Sequence, residues 1–151
     1  MPHPRYGGPR QVVRAALCAL DTAPLSLRRA SAIVTTPPLG PSIRHYANAA
    51  AIIETDLGPD ALLAHLKDIE QRFGRRAGGQ RWRARPLDLD ILLWSNGAFV
   101  APHLAIPHPE MARRRFVLAP LRTIAPDWRH PLTVLTVQHM AARLDQKRPA
   151  A

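Results

Sequence analysis

Acidic residues are scarce in this chain and cysteine is almost absent. Asp and Glu number 11 against 21 Lys and Arg in 151 residues, a formal net charge of +10. Such a balance suits an anionic partner, either nucleic acid or a nucleotide. A single cysteine, Cys18, excludes an internal disulfide framework, and its place in an apolar helical stretch predicts a small core residue. No apolar run approaches the roughly 20 residues that a membrane-crossing helix needs. No secretory signal opens the chain, so the expected compartment is the cytoplasm, with no membrane partner. Two common phosphate-binding signatures are also missing: there is no Gly-x-x-x-x-Gly-Lys-Ser/Thr and no kinase Gly-rich loop. His103 and His108 have no partners at zinc-binding spacing.

What is present suits a folded domain. Hydrophobic residues make up 46% of the chain, enough to exclude disorder, and the length fits one domain over residues 1–151. The 16 prolines separate elements rather than form a tract, and neither a repeat nor a linker is evident. Apolar spacing predicts a helix from Val12 to Leu20, a strand from Leu25 to Thr35, and a second strand from Tyr46 to Thr55. Between those strands, Thr36-Pro37-Pro38-Leu39-Gly40-Pro41 makes a stiff loop. A helix from Pro59 to Phe73 carries the stripe Leu62, Leu63, Leu66, Ile69 and Phe73, with Gly74 as its stop. Leu87 to Trp94 reads as a strand, and Asn96-Gly97 as a tight hairpin into Phe99-Val100. Pro107-His108-Pro109 opens a helix through Arg114, Phe116 and Leu118, and a last helix covers Thr133 to Leu144. This mixture predicts a two-layer α/β or α+β sandwich.

Against so few acids, Asp88-Leu89-Asp90 stands out. Alternation puts both carboxylates on one face of the predicted strand, and Leu87, Leu89 and Ile91 on the other. Two like charges on one face repel and resist burial, so a cation between them is the natural resolution. Mg²⁺ takes one or two carboxylates together with phosphate oxygens and water. Arg85, three residues upstream, offers a fork for phosphate. The motif alone is equally at home on a solvated edge strand.

Upstream lies a basic stretch with Arg72, Arg75, Arg76, Arg81, Arg83 and Arg85, interrupted by Gly78-Gly79 and Trp82. It reads as a solvated charge run, as a nucleic-acid patch with Trp82 for stacking, or as a phosphate-binding lid. His108, held between prolines, is a candidate phosphate donor.

Together these residues resemble the 6-hydroxymethyl-7,8-dihydropterin pyrophosphokinase family of folate biosynthesis. Its signature is an arginine, two residues, then Asp-Leu-Asp and aliphatics, here Arg85-Pro-Leu-Asp88-Leu-Asp90-Ile91-Leu92. Four more segments agree in order: Thr36-Pro-Pro-Leu39-Gly40, Tyr46-Ala-Asn48-Ala, Glu70 with the stretch from Arg75 to Trp82, and Pro107-His108 followed by Arg114-x-Phe116-Val-Leu. The resemblance implies a ferredoxin-like α+β fold and transfer of the β,γ-diphosphate of ATP to the pterin hydroxymethyl oxygen, releasing AMP. It implies that Asp88 and Asp90 hold two Mg²⁺ ions. Catalytic roles fall to Arg75, Arg85, Asp88, Asp90, His108 and Arg114. Nucleotide contacts fall to Glu70, Arg75, Arg85, Ile91, His108 and Arg114. Thr36, Pro37, Leu39, Tyr46 and Asn48 would line the pterin pocket, with Trp82 and Phe116 stacked on the ring. The implied partners are ATP and the pterin, with no nucleic acid, and the implied state is a monomer.

Three departures from the family pattern qualify it. Arg83-Ala84 replaces a common Gly-Pro, and Ala77 stands where a second basic residue is common. The family opens on an apolar strand ending Gly-Ser-Asn, whereas this chain starts Met1-Pro-His-Pro-Arg-Tyr-Gly-Gly-Pro. The expectation is a domain lacking the family's first, central strand, its start lying downstream of the native one. Two other readings stay open on the residues alone: a non-catalytic truncated member, and a small basic nucleic-acid-binding module.

Overall fold

The computed structural model describes residues 7–36, 46–74 and 87–146, with Thr36 described by its backbone only. The fold mixes α and β, with four α-helices and three two-stranded antiparallel sheets among the described residues. The chain forms two compact units, one ending at Leu89 and the other starting at Asp90.

In the first unit, helix α1 (Pro9–Leu20) has proline in its first turn, where the missing N–H costs nothing. Its buried residues, Val12, Ala16 and Leu20, recur every fourth position and so form one stripe. Cys18 is exposed, which corrects its expected place in the core. It lies two residues from both Ala16 and Leu20, roughly 200° around the helix from each, so it turns away from the buried stripe.

Strand β1 (Leu25–Ala30) pairs antiparallel with β4 (Ala51–Thr55), and β2 (Val34–Thr36) pairs antiparallel with β3 (Tyr46–Asn48). Each of the two long strands expected from the sequence is therefore broken in two. The cause is a polar crossing between Ser31 and Ala50. The Ser31 N–H donates to the Ala50 carbonyl at 2.8 Å, and the Ala50 N–H donates to the Ser31 hydroxyl at 2.8 Å. A side-chain oxygen has taken the place of a ladder carbonyl, and both strands break there.

Helix α2 (Pro59–Gly74) starts where expected, takes in Gly74 where the stop was expected, and buries Leu66, Ile69 and Phe73. Leu87 is also buried, but residues 87–93 join no strand ladder among the described residues. The expected strand from Leu87 to Trp94 is thus corrected to a segment without ladder pairing among the described residues, whose exposure still alternates at first, with Asp88 and Asp90 exposed. A strand needs a neighbour for its N–H and C=O groups. Here a side chain supplies one partner, Glu70 for the Leu89 N–H.

In the second unit, Trp94 to Gly97 forms a tight turn, closed by the Gly97 N–H donating to the Trp94 carbonyl at 3.0 Å. Gly97 has φ +102, so glycine is needed there. It closes the turn rather than sitting at its centre, which corrects the expected Asn-Gly hairpin. The Trp94 and Phe99 rings meet edge to face across this turn, 6.3 Å between centroids. Strand β5 (Phe99–Ala101) then pairs with β6 (Leu104–Ile106), a strand that sequence reasoning passed over.

The helix expected from Pro107 onwards is instead a short 3₁₀ turn, Met111–Arg113, followed by α3 (Arg115–Ile124). Arg114 between them is extended, with φ −111 and ψ 109, so the chain changes direction at that residue. The last helix, α4 (Val137–Gln146), starts four residues later than expected. Val134 has φ 65, a left-handed conformation that ends any helix started at Thr133. Ile106, Met111, Leu118, Val137 and Met140 make the core of this unit.

Candidate functional site

The expected site residues divide between the two units. In the first, the β2–β3 ladder sets the register of three of them. Thr36 is paired with Tyr46, and Val34 with Asn48. Tyr46 and Asn48 are two apart on one strand and so share a face. Tyr46 is 46% exposed although it is a large ring, and neighbouring Val34 is 47% exposed. An open face carrying a phenol and an amide suits a flat heteroaromatic ligand with a polar edge.

Arg10, which sequence reasoning missed, braces this ladder. Its guanidinium donates to the Ile33 carbonyl at 2.9 Å and to the Thr35 hydroxyl at 3.1 Å, tying β2 to α1 just before Thr36. The two partners lie 23 and 25 residues away, so no local pattern could have revealed the contact.

Glu70 extends from α2 and accepts the Leu89 N–H at 2.6 Å through Oε2. Leu89 stands between the two aspartates. Asp88 is exposed, while Leu87 before it is only 7% exposed. Asp88 is thus an exposed residue set between a buried Leu87 and a bonded Leu89.

In the second unit, Asp90 is exposed and Ile91 half-buried. The His108 N–H donates to the Leu92 carbonyl at 3.0 Å, which brings His108 beside the segment that follows Asp90. His108 Nδ1 accepts the Glu110 N–H at 3.1 Å. That bond places the proton of the neutral ring on Nε2, the atom left to donate to an anion. The Arg114 guanidinium lies over the Phe116 ring, 5.8 Å from its centroid. Such a cation–π contact holds the arginine without neutralising it. Phe116 is 50% exposed. Glu110 and Arg113 form a loose exposed pair at 3.8 Å.

Pro37, Leu39, Arg75, Trp82 and Arg85 lie outside the described residues, as does the rest of the basic stretch from Arg75 to Arg85. Among the described residues no cluster of three or more His, Cys, Asp or Glu forms a metal cage. A two-carboxylate site is the kind that relies on substrate phosphates and water for its remaining ligands. A groove of about 230 Å³ lined by Arg115, Leu118, Arg122, Ala141 and Leu144 contains none of the expected site residues. No helix among the described residues is long and apolar enough to cross a membrane.

The profile of the 7,8-dihydro-6-hydroxymethylpterin-pyrophosphokinase family matches residues 5–126. The chain belongs to this family. The matched span contains every expected site residue, from Thr36 to Phe116. A 2-amino-4-hydroxy-6-hydroxymethyldihydropteridine pyrophosphokinase of Pseudomonas aeruginosa is 41% identical over 125 residues, covering 82% of this chain and 76% of that protein. A pyrophosphokinase of the same name from Synechocystis sp. is 36% identical over 123 residues, covering 82% of this chain and 63% of that protein. A folate synthesis bifunctional protein of Arabidopsis thaliana is 41% identical over 98 residues, 64% of this chain and 20% of that protein. The chain thus spans a little under two thirds of the length of the Synechocystis relative.

Proposed function

We propose that this chain transfers the β,γ-diphosphate of ATP to the hydroxymethyl oxygen of 6-hydroxymethyl-7,8-dihydropterin in folate biosynthesis. The observation that carries the reading is the exposed Asp88 and Asp90 pair, with Leu89 between them bonded to Glu70 and Leu92 after them bonded to His108, in a chain of the pyrophosphokinase family. The hydroxymethyl oxygen forms a bond to the β-phosphorus. The bond from that phosphorus to the α,β-bridging oxygen breaks, AMP departs, and the hydroxyl proton passes to solvent.

Each residue is assigned a role that suits its chemistry. Asp88 and Asp90 would hold two Mg²⁺ ions, which neutralise phosphate charge when bound. Their exposure and their hard oxygen donors fit that ion. His108 offers Nε2–H to a phosphate oxygen, and Arg114, Arg75 and Arg85 offer guanidinium groups. Ile91 packs near the adenine. Tyr46, Asn48, Thr36, Pro37 and Leu39 line the pterin pocket, where Asn48 reads the polar edge of the ring. Trp82 and Phe116 stack on its faces. The proposal includes a ferredoxin-like α+β domain over residues 1–151, acting as a cytoplasmic monomer with no nucleic-acid partner.

The test is ATP consumption measured with and without Mg²⁺ and with and without the pterin. Turnover that needs both is the expected result. Turnover that persists with EDTA, or without the pterin, overturns the reading.

A further inference from the structure

We infer that Glu70 is a positioning residue that aims Asp88, through a tether to the main chain rather than through contact with the nucleotide. The inference rests on the proposed role of Asp88 and Asp90 as metal ligands. Residues 87–93 join no strand ladder among the described residues, so no described ladder fixes that segment. Two attachments hold it. Leu87 is buried, and the Leu89 N–H is held by Glu70 Oε2 at 2.6 Å. They fall on the residues immediately before and after Asp88. Pinning both neighbours fixes the peptide planes on either side of Asp88 and hence the direction of its Cα–Cβ bond.

The tether has a rigid base. Ile69, next to Glu70, is completely buried, and Phe73, one turn on, is 5% exposed, so α2 is anchored at this point. A carboxylate accepting a backbone N–H is a charge-assisted hydrogen bond, shorter and stronger than a neutral one. A direct nucleotide contact and the tether make distinct predictions for Glu70. A direct nucleotide contact depends on its charge, whereas the tether depends only on an oxygen at that reach. Glutamine keeps the oxygen and loses the charge, and alanine loses both.

The experiment compares wild type, Glu70→Gln and Glu70→Ala in two readouts. The first is hydrogen exchange at the Leu89 amide in the free protein, followed by NMR. Protection is expected to persist in Glu70→Gln and to fall about tenfold or more in Glu70→Ala. The second is Mn²⁺ affinity in the presence of a non-hydrolysable ATP analogue, followed by electron paramagnetic resonance. Affinity is expected to fall about tenfold in Glu70→Ala and to recover most of that loss in Glu70→Gln. Unchanged Leu89 exchange in Glu70→Ala overturns the tether. Lost protection with undiminished Mn²⁺ affinity overturns the positioning role. A Glu70→Gln variant that keeps Leu89 protection but binds Mn²⁺ as poorly as Glu70→Ala shows that the charge acts directly, and overturns the inference. Failure of the wild type to bind Mn²⁺ with the analogue overturns the metal-ligand reading itself, and is told apart because Leu89 protection is then still seen.

Discussion

Val134 is the one non-glycine residue with positive φ among the described residues, at φ 65, and replacing it with glycine is expected to stabilise the protein. A β-branched side chain in the left-handed region sets its Cβ substituents against the following carbonyl, at a cost of about 1–2 kcal/mol. Little is lost when the side chain goes, since Val134 is 61% exposed. The contacts that hold the residue belong to its main chain. Its N–H donates to the His130 carbonyl at 2.8 Å, and its carbonyl accepts Arg129 Nη1 at 2.8 Å. Both survive in Val134→Gly. Glycine loses more backbone freedom on folding, about 0.5–1 kcal/mol. The net gain is therefore about 0.5–1 kcal/mol, which in a chain of this size raises Tm by about 1–4 °C. Val134→Ala is the control, because it keeps a Cβ and so most of the strain. Differential scanning calorimetry of the three proteins is the assay. A Val134→Gly protein that melts at or below the wild-type temperature, with unchanged far-ultraviolet circular dichroism, would refute the strain argument.

Three other outcomes follow from single contacts. His130 is buried, which lowers its pKa below the ordinary 6.5, and its Nδ1 accepts the Leu132 and Thr133 N–H groups, so the folded state favours the neutral ring. The unfolded chain then binds the proton first. The contribution of His130 is complete above about pH 6.5 and declines as pH falls below it, so wild type should lose more urea resistance than His130→Gln between pH 7.5 and 5. Equal losses would remove His130 from the pH dependence. Ser31→Ala strips the Ala50 N–H of its acceptor and should cost about 1–3 kcal/mol by urea unfolding, whereas a cost within experimental error would mean the strand break does not depend on that hydroxyl. Asp90→Ala should abolish turnover while leaving the melting temperature close to wild type, because a like charge is relieved. Substantial residual turnover would take Asp90 out of the metal site.

Elements built on local periodicity could be read from the chain in advance. Helices α1 and α2 are set by apolar residues three and four apart, and both appear where that spacing put them, α1 starting three residues earlier at Pro9. The places that differ are set by single long-range contacts. Ser31 splits two strands by bonding to Ala50, 19 residues away. Arg10 braces β2 from α1. No alternation along Leu87 to Trp94 could tell whether a partner strand lies beside it. The start of α4 moved because the backbone at Val134 took a conformation for which its side chain gives no warning. The Asp88 and Asp90 pair stands out in the chain as residue types at a fixed spacing, whereas most of the other candidate residues are what the family resemblance implies. The positioning of the site was not legible, since the acceptor for the Leu89 N–H and the tautomer of His108 depend on partners that only the fold selects.

The most direct test of the account is the identity of the nucleotide product. The chain is incubated with ATP, Mg²⁺ and 6-hydroxymethyl-7,8-dihydropterin, and the products are separated and followed by phosphorus NMR. AMP and a pterin diphosphate in equal amounts, with no ADP, are expected. ADP with a pterin monophosphate, or AMP with free pyrophosphate and unchanged pterin, would contradict it.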